Sequence, residues 1–205
     1  MPPVRHPTIF PPGALAIAAL LVLLPAPALS AQVYRIDSER TSVAFEVMEL
    51  GVWLANGRFG RTDGRIDYDT TAETGSVELA VDAASVQTGW DLRDRFVRGE
   101  DMLDVAHHPV LRFRSTGMTF IEHRLVAVDG ALTLHGVTLP VRLDVRSVRC
   151  GSRADDGFER CDAEIVGRIS RHAFGMDFAS VLVADEVRLT FAVRAKRVDG
   201  SEAVP

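Results

Sequence analysis

The stretch DGALTLHGVTLPVRLDV, Asp129 to Val145, alternates apolar and polar side chains almost without interruption. Leu132 and Leu134, then Val137, Leu139, Val141, Leu143 and Val145, fall on one phase, with Thr138, Pro140, Arg142 and Asp144 between them. Successive side chains of a strand point to opposite faces, so this pattern specifies two strands, each with one wet and one dry face. The His135-Gly136 pair sits where the chain can reverse, because glycine accepts the positive φ of a tight hairpin turn. The fold then turns on what the dry faces meet: one another, in a filled core, or a hollow.

The same alternation recurs on both sides of that stretch. Val43, Phe45 and Val47 share a phase in TSVAFEVM, as do Ile66 and Tyr68 in GRIDYD, and Val77, Leu79 and Val81 in GSVELAVDAASV. Further on come Leu111 and Phe113, then Ile165, Gly167 and Ile169, then Val187, Leu189, Phe191 and Val193. This makes about eight strands joined by short turns, the all-β pattern of an antiparallel sandwich or barrel. A barrel of about eight strands is filled by its own side chains or holds one small ligand, and alternation alone does not separate the two.

Two segments break the period. QTGWDLRDRFVRGEDMLDVAHHP predicts one short helix: Thr88 and Asp91 have capping-box spacing, and Asp91–Arg95 and Asp94–Arg98 stand four apart, acid first. Leu92 and Phe96 share its apolar face, Gly99 is a natural stop, and a second turn through Met102 and Leu103 ends before His108-Pro109. Such a helix, lying between strands, packs over an end or side of the sheet. MELGVWLANGRFG, residues 48–60, is both glycine-rich and apolar, and reads as a loop or short helix that either plugs a barrel end or forms an apolar entrance.

Composition narrows the function classes. A basic head at Arg5 and His6, an apolar run at 14–24 and small residues at Ala28 and Ser30 make residues 1–30 a secretory signal peptide. The run is shorter than the about 20 residues that span a bilayer. The mature chain is then expected in the periplasm or secreted, with a single domain at 31–198 and a tail at 199–205. The formal net charge is −5 over 205 residues, which argues against nucleic acid as a partner. Cys150 and Cys161, the only cysteines, flank a polar turn and in an exported chain predict a disulfide; two thiols without a nearby His do not complete a metal site.

No catalytic constellation emerges. The chain lacks a nucleophile elbow and a phosphate-cradling loop, and its histidines beyond His6 are scattered at 107, 108, 123, 135 and 172. Asp155-Asp156 read as solvated acids in the cysteine-flanked loop. No catalytic residue and no metal ligand is assigned. The rival to a binding protein is an enzyme with an acid/base pair at a barrel mouth, acting on a small lipid or a quinone; its candidates are His172, Asp177 and Asp185.

Taken together, SVQTGWDLRDRFVRGEDMLDVAHHPVLRFRST, VDGALTLHGVTLPVRLDV and GRISRHAFGMDF, with YRIDSERTSVAFEV and GRFGRTDGRIDYD, resemble the YceI-like family of polyisoprenoid-binding periplasmic proteins over nearly the whole mature chain. The resemblance implies an elongated, lipocalin-like antiparallel barrel with a helix beside it. It also implies an apolar tunnel for a long isoprenoid chain, such as a quinone tail or polyprenyl lipid, and no other cofactor. Where the family often has a His after the Arg-Asp pair of the helix, this chain has Arg95-Phe96, and Met102-Leu103 replaces a frequent Phe pair. The expected lining is Phe45, Val47, Trp53, Phe59, Leu79, Phe96, Leu103, Phe113, Leu132, Leu134, Leu143, Phe174, Phe178, Leu189 and Phe191, with Trp53 or Trp90 marking the mouth. The expected partner is an isoprenoid or other apolar lipid, with room for a homodimer.

Overall fold

The computed structural model describes residues 32–152 and 157–198. The expected signal peptide at 1–30, Asp155-Asp156 and the expected tail at 199–205 lie outside them. Eleven strand segments run β1 (Gln32–Ile36), β2 (Ser42–Glu49), β3 (Trp53–Phe59), β4 (Thr62–Asp69), β5 (Thr74–Asp82), β6 (Val86–Gln87), β7 (Val110–Ile121), β8 (Arg124–Leu134), β9 (Val137–Ser152), β10 (Glu159–Ser170) and β11 (Val183–Val198). One helix, α1 (Asp91–Val97), stands between β6 and β7.

These segments form a closed, eight-stave antiparallel barrel, because consecutive short strands share staves. β1 pairs with the last residues of β11, while β2 pairs farther along the same strand, so β1 and β2 make one interrupted stave. β3 and β4 make the next, pairing with β2 and β1 respectively. Between β1 and β2 the chain turns out of the ladder. Thr41 bridges the gap: its Oγ1 donates to the Arg194 carbonyl at 3.2 Å and accepts from the Arg194 amide at 3.1 Å. The ring continues through β5, β7, β8, β9, β10 and β11 and closes where β11 meets β1. Closure leaves few unpaired strand edges.

The β8–β9 hairpin forms as its sequence dictates. Leu134 pairs with Val137, and His135 and Gly136 carry φ of 50° and 75° in the turn. The Cys150–Cys161 disulfide joins directly paired residues of β9 and β10. A cross-link over so short a loop stabilises by about 2–3 kcal/mol.

Two expectations need correction. Residues 48–60 are neither a loop nor a helix. They are the end of β2, a turn at Leu50 and Gly51 with φ of 52° and 70°, and β3, whose pairing with β2 runs from Val43–Phe59 to Glu49–Trp53. The exposed, buried, exposed, buried run of β3 satisfies a strand period that the glycines obscured. The helix also starts later than its capping box implies. Trp90, not Thr88, is the N-cap residue and makes no side-chain cap, while the chain through Met102-Leu103 forms turns as expected.

The register gives the barrel two distinct ends. The β2–β3 turn, the β8–β9 hairpin, and segments 88–109 and 171–182 lie at the upper end. The β4–β5, β7–β8 and β9–β10 connections lie at the lower end, with Gln32 and Val198. The lower half is more tightly packed, with Tyr34, Ile36, Val128, Val193 and Ala195 buried and Tyr68 stacked on Phe120 at 6.3 Å. In the upper half β6 pairs with β3 at only two residues, and α1 follows it, presenting Leu92, Phe96 and Val97 to the hollow.

Candidate functional site: an apolar cavity open at the upper end

The upper half encloses a cavity of about 590 Å³. Val43, Phe45 and Val47 of β2 face it, as do Leu79 and Val81 of β5, Leu132 and Leu134 of β8, and Val187, Leu189 and Phe191 of β11. Each set is one phase of an alternating strand, so the pattern that closes the barrel also coats its interior with hydrocarbon. Leu92, Phe96 and Val97 of α1 and the buried Leu103 after it complete the wall. A second hollow of about 90 Å³ lies in the lower half. Leu79, Phe113 and Phe191 line both and form the floor between them. At about 30 Å³ for each water-sized group, the upper cavity has room for roughly twenty such groups.

Twelve of the fifteen expected lining residues surround this cavity; Trp53, Leu143 and Phe174 do not. Trp53 opens β3 and is exposed at the rim. Leu143 faces inward but below the floor, in the lower hollow. Phe174 sits in a 3-10 turn (His172–Phe174), 1% exposed, packed into the core. Trp90 does line the mouth.

Phe45 lies flat against the wall because β3 has no side chain at the facing position. A Cβ on Gly57, which pairs with Phe45, would stand 2.4 Å from its ring. Gly57→Val is therefore expected to swing the phenyl ring into the hollow and weaken uptake of an apolar probe about tenfold, with the strands intact. Circular dichroism alongside a fluorescent-probe titration checks this; unchanged uptake would contradict it.

The lid is tied down by polar contacts at its edges. The Thr88 hydroxyl and amide donate to Asp94 Oδ1 at 2.7 and 2.6 Å. Arg98 donates to the carbonyls of Ala84 and Val86 at 2.9 and 2.6 Å. Arg93 faces Glu49 of β2 at 3.9 Å across the mouth, and Phe96 meets Phe178 with ring centres 4.5 Å apart. The Thr88 hydroxyl bond holds the Asp94 carboxyl below its ordinary value. A carboxylate with a depressed folded value contributes stability that is present above the unfolded value and is lost as pH falls through the folded one. The tie is thus complete at neutral pH and is expected to release below about pH 4. Trp90 emission followed through an acid titration should report that release, and Asp94→Asn should remove most of the pH dependence.

Arg171 is the cavity-wall residue that sequence reasoning missed. It is 2% exposed, and among the described residues no carboxylate lies within ion-pair distance. Its guanidinium donates instead to four carbonyls, those of Ala184, Met176, Phe178 and Val183. An arginine following a strand reads as a surface residue, and no local signal marks it otherwise. Val43, Val81, Leu111 and Val187, also unnamed as lining, were within reach because they share the phase of residues that were named.

Compared with known proteins, residues 34–195 match the model of the YceI-like domain. The chain belongs to the YceI-like family. A UPF0312 protein of Azotobacter vinelandii is 31% identical over 185 residues, covering 89% of this chain and 96% of that one. A UPF0312 protein of Shewanella denitrificans is 32% identical over 148 residues, covering 69% and 77%. Among solved structures, Burkholderia cenocepacia BcnA superposes with a TM-score of 0.63 at 23% identity, covering 78% of this chain and 98% of that one. A polyisoprenoid binding domain from Saccharophagus degradans, implicated in plant cell wall breakdown, does so with a TM-score of 0.61 at 19% identity, covering 80% and 98%. These likenesses establish the YceI-like barrel.

The three acid/base candidates do not face the cavity of this YceI-like barrel. Asp185 accepts from the Ser170 hydroxyl at 2.8 Å and the His172 amide at 2.9 Å, with His172 Nδ1 at 3.2 Å. The His172 amide bond holds the Asp185 carboxyl low, whereas a general base works best with a value near the operating pH. Asp177 contributes a backbone carbonyl to Ser180. The cluster ties the segment after β10 to the start of β11. Cys150, Cys161 and Glu159 lie close enough to suggest a metal cluster, but the two sulfurs are bonded to each other and offer no thiolate.

Proposed function

We propose that this protein binds one long apolar lipid chain, an isoprenoid such as a quinone tail or polyprenyl lipid, and carries it without chemical change. The observation that supports this reading most directly is the cavity: hydrocarbon walls, one open end, and a size within the about 300–1,000 Å³ of ligand sites. The driving force is burial, about 0.8 kcal/mol for each methylene removed from water. Aliphatic walls impose little selectivity along the chain. The few polar groups at the mouth, Glu49, Asn56, Thr88 and Arg93, stand where a head group would rest. Leu79, Phe113 and Phe191 form a floor beneath the inserted part, so a tail longer than the cavity must displace the floor or trail from the mouth. The polyisoprenoid-binding description of the Saccharophagus relative is consistent with this ligand class. An apolar leader at residues 1–30 supports a periplasmic or secreted setting. Among the described residues no helix is long and apolar enough to cross a membrane.

Organic extraction of the purified protein followed by mass spectrometry tests the reading. Recovery of an isoprenoid near one per chain supports it. Empty extracts, together with no uptake of an added prenyl quinone, would overturn it. Turnover of that quinone, lost on His172→Ala, would favour the enzyme instead.

A further inference from the structure

Of the thirteen large apolar side chains exposed among the described residues, eleven lie at the upper end and only Ile121 and Phe158 elsewhere. They come from three separate segments: Val52 and Trp53 at the β2–β3 turn, Trp90 and Leu92 at the start of α1, and Val181 and Leu182 before β11. Single exposed apolar residues are ordinary, but a cluster of them marks a surface that meets a partner. Val181, 96% exposed, packs against nothing here. The Leu50 amide donates to the Leu182 carbonyl at 2.6 Å, which fastens two of the three tips together.

We propose that this rim is a bilayer-docking surface. The three tips sink into the boundary between head groups and acyl chains, with the cavity mouth facing the membrane. The proposal rests on the reading of the cavity as a lipid site and states how the lipid arrives. Three observations select a bilayer as the occupant. First, the patch is continuous with the cavity: Trp90, Leu92, Phe96 and Phe178 are exposed on the rim and line the hollow at once. A lipid can then pass from bilayer to barrel along a hydrocarbon path, without the cost of crossing water. Second, both tryptophans of the chain stand on this rim, and an amphipathic indole suits the membrane interface. Third, the rim segments 48–54, 88–98 and 171–182 together hold four arginines and four carboxylates, while the whole chain is at −5. The segments that bear the tips are thus balanced, and with Glu100, Asp101 and Asp104 following α1 the upper end has no basic surplus that would call for an anionic membrane. Recognition is by apolar area, so a zwitterionic membrane suffices and added salt matters little. The strands that lead out of the described structure, at Gln32 and Val198, do so at the opposite end.

The test uses the mature chain and neutral phosphatidylcholine vesicles. Wild-type protein should co-sediment with them at low and high salt. In a Trp90→Phe background, Trp53 emission should shift to the blue and be quenched by phospholipid brominated in the upper acyl chain. The triple variant Val52→Asp/Trp53→Ser/Val181→Asp should lose vesicle binding about tenfold or more, and Val181→Asp alone should lose part of it. Both should take up cis-parinaric acid in the absence of vesicles as the wild type does. Wild-type uptake of that probe without co-sedimentation would overturn the docking proposal and leave the lipid reading standing. So would a wild-type dimer that the triple variant dissolves, since the rim would then cover a second copy. Failure of the wild type to take up the probe would remove the lipid reading itself.

Discussion

Replacement of Arg171 by methionine should lower stability by about 3–5 kcal/mol, because several backbone carbonyls lose their donor at once. The guanidinium is all but inaccessible, and it ties the segment after β10 to the start of β11. Its Nε donates to the Ala184 carbonyl at 3.0 Å, Nη1 to those of Met176 and Phe178, and Nη2 to that of Val183 at 2.9 Å. A methionine fills much of the same space but donates nothing. The four carbonyls must then find water by opening the segment, or stay unpaired at about 1–3 kcal/mol each. Lysine keeps the charge but offers it as a compact point with three donors, so Arg171→Lys should recover only part of the loss. Urea unfolding measures the change, and faster amide exchange across 176–184 would locate it. A methionine variant within about 1 kcal/mol of wild type would show that the carbonyls do not depend on this side chain.

Leu132→Trp should abolish uptake of an apolar probe while leaving stability nearly unchanged. Leu132 lines the cavity and pairs across the sheet with Phe113 of the floor. An indole there occupies space that a hydrocarbon tail would need, and a loss of at least about 100-fold, or 2.7 kcal/mol, is expected. The stability readout gives the experiment its force. Enlarging a side chain in a filled core typically costs about 1–3 kcal/mol, because neighbours must leave their rotamers. Enlarging one that faces a void costs little and can gain contacts. Loss of binding with stability held within about 1 kcal/mol thus signals a hollow. Marked destabilisation would signal interlocked walls.

What the sequence conveyed well was phase. Alternation from Val43 to Val193 assigned nearly every inward side chain correctly, and the His135-Gly136 reversal and the Cys150–Cys161 link fall where their chemistry places them. Height along the barrel was not legible. Leu143 shares its phase with residues that reach the cavity but lies below the floor, because alternation reports a face and not a level. Trp53 and Phe174 were drawn in by being aromatic, though one caps a hairpin and the other anchors a 3-10 turn. Gly57 read as slackness in a loop, whereas its missing side chain makes room for the ring of Phe45. Thr88 spaced correctly for a capping box with Asp91, yet bonds Asp94 six residues on, since the intervening Gly89-Trp90 bend moves the helix start. Arg171 escaped entirely because its partners are backbone carbonyls from residues 5 to 13 positions downstream. Contacts of that kind leave no mark in composition or period. The family resemblance supplied the hollow that pattern alone left undecided.

The most direct measurement is native mass spectrometry of the wild-type chain and the Leu132→Trp chain, each loaded with the same prenyl quinone and separated from the excess. The wild type should carry the mass of one quinone per chain, and the tryptophan variant should run at the mass of bare protein. A wild-type chain that stays bare after loading, or two chains that retain equal amounts, would mean that the cavity is not where the lipid goes.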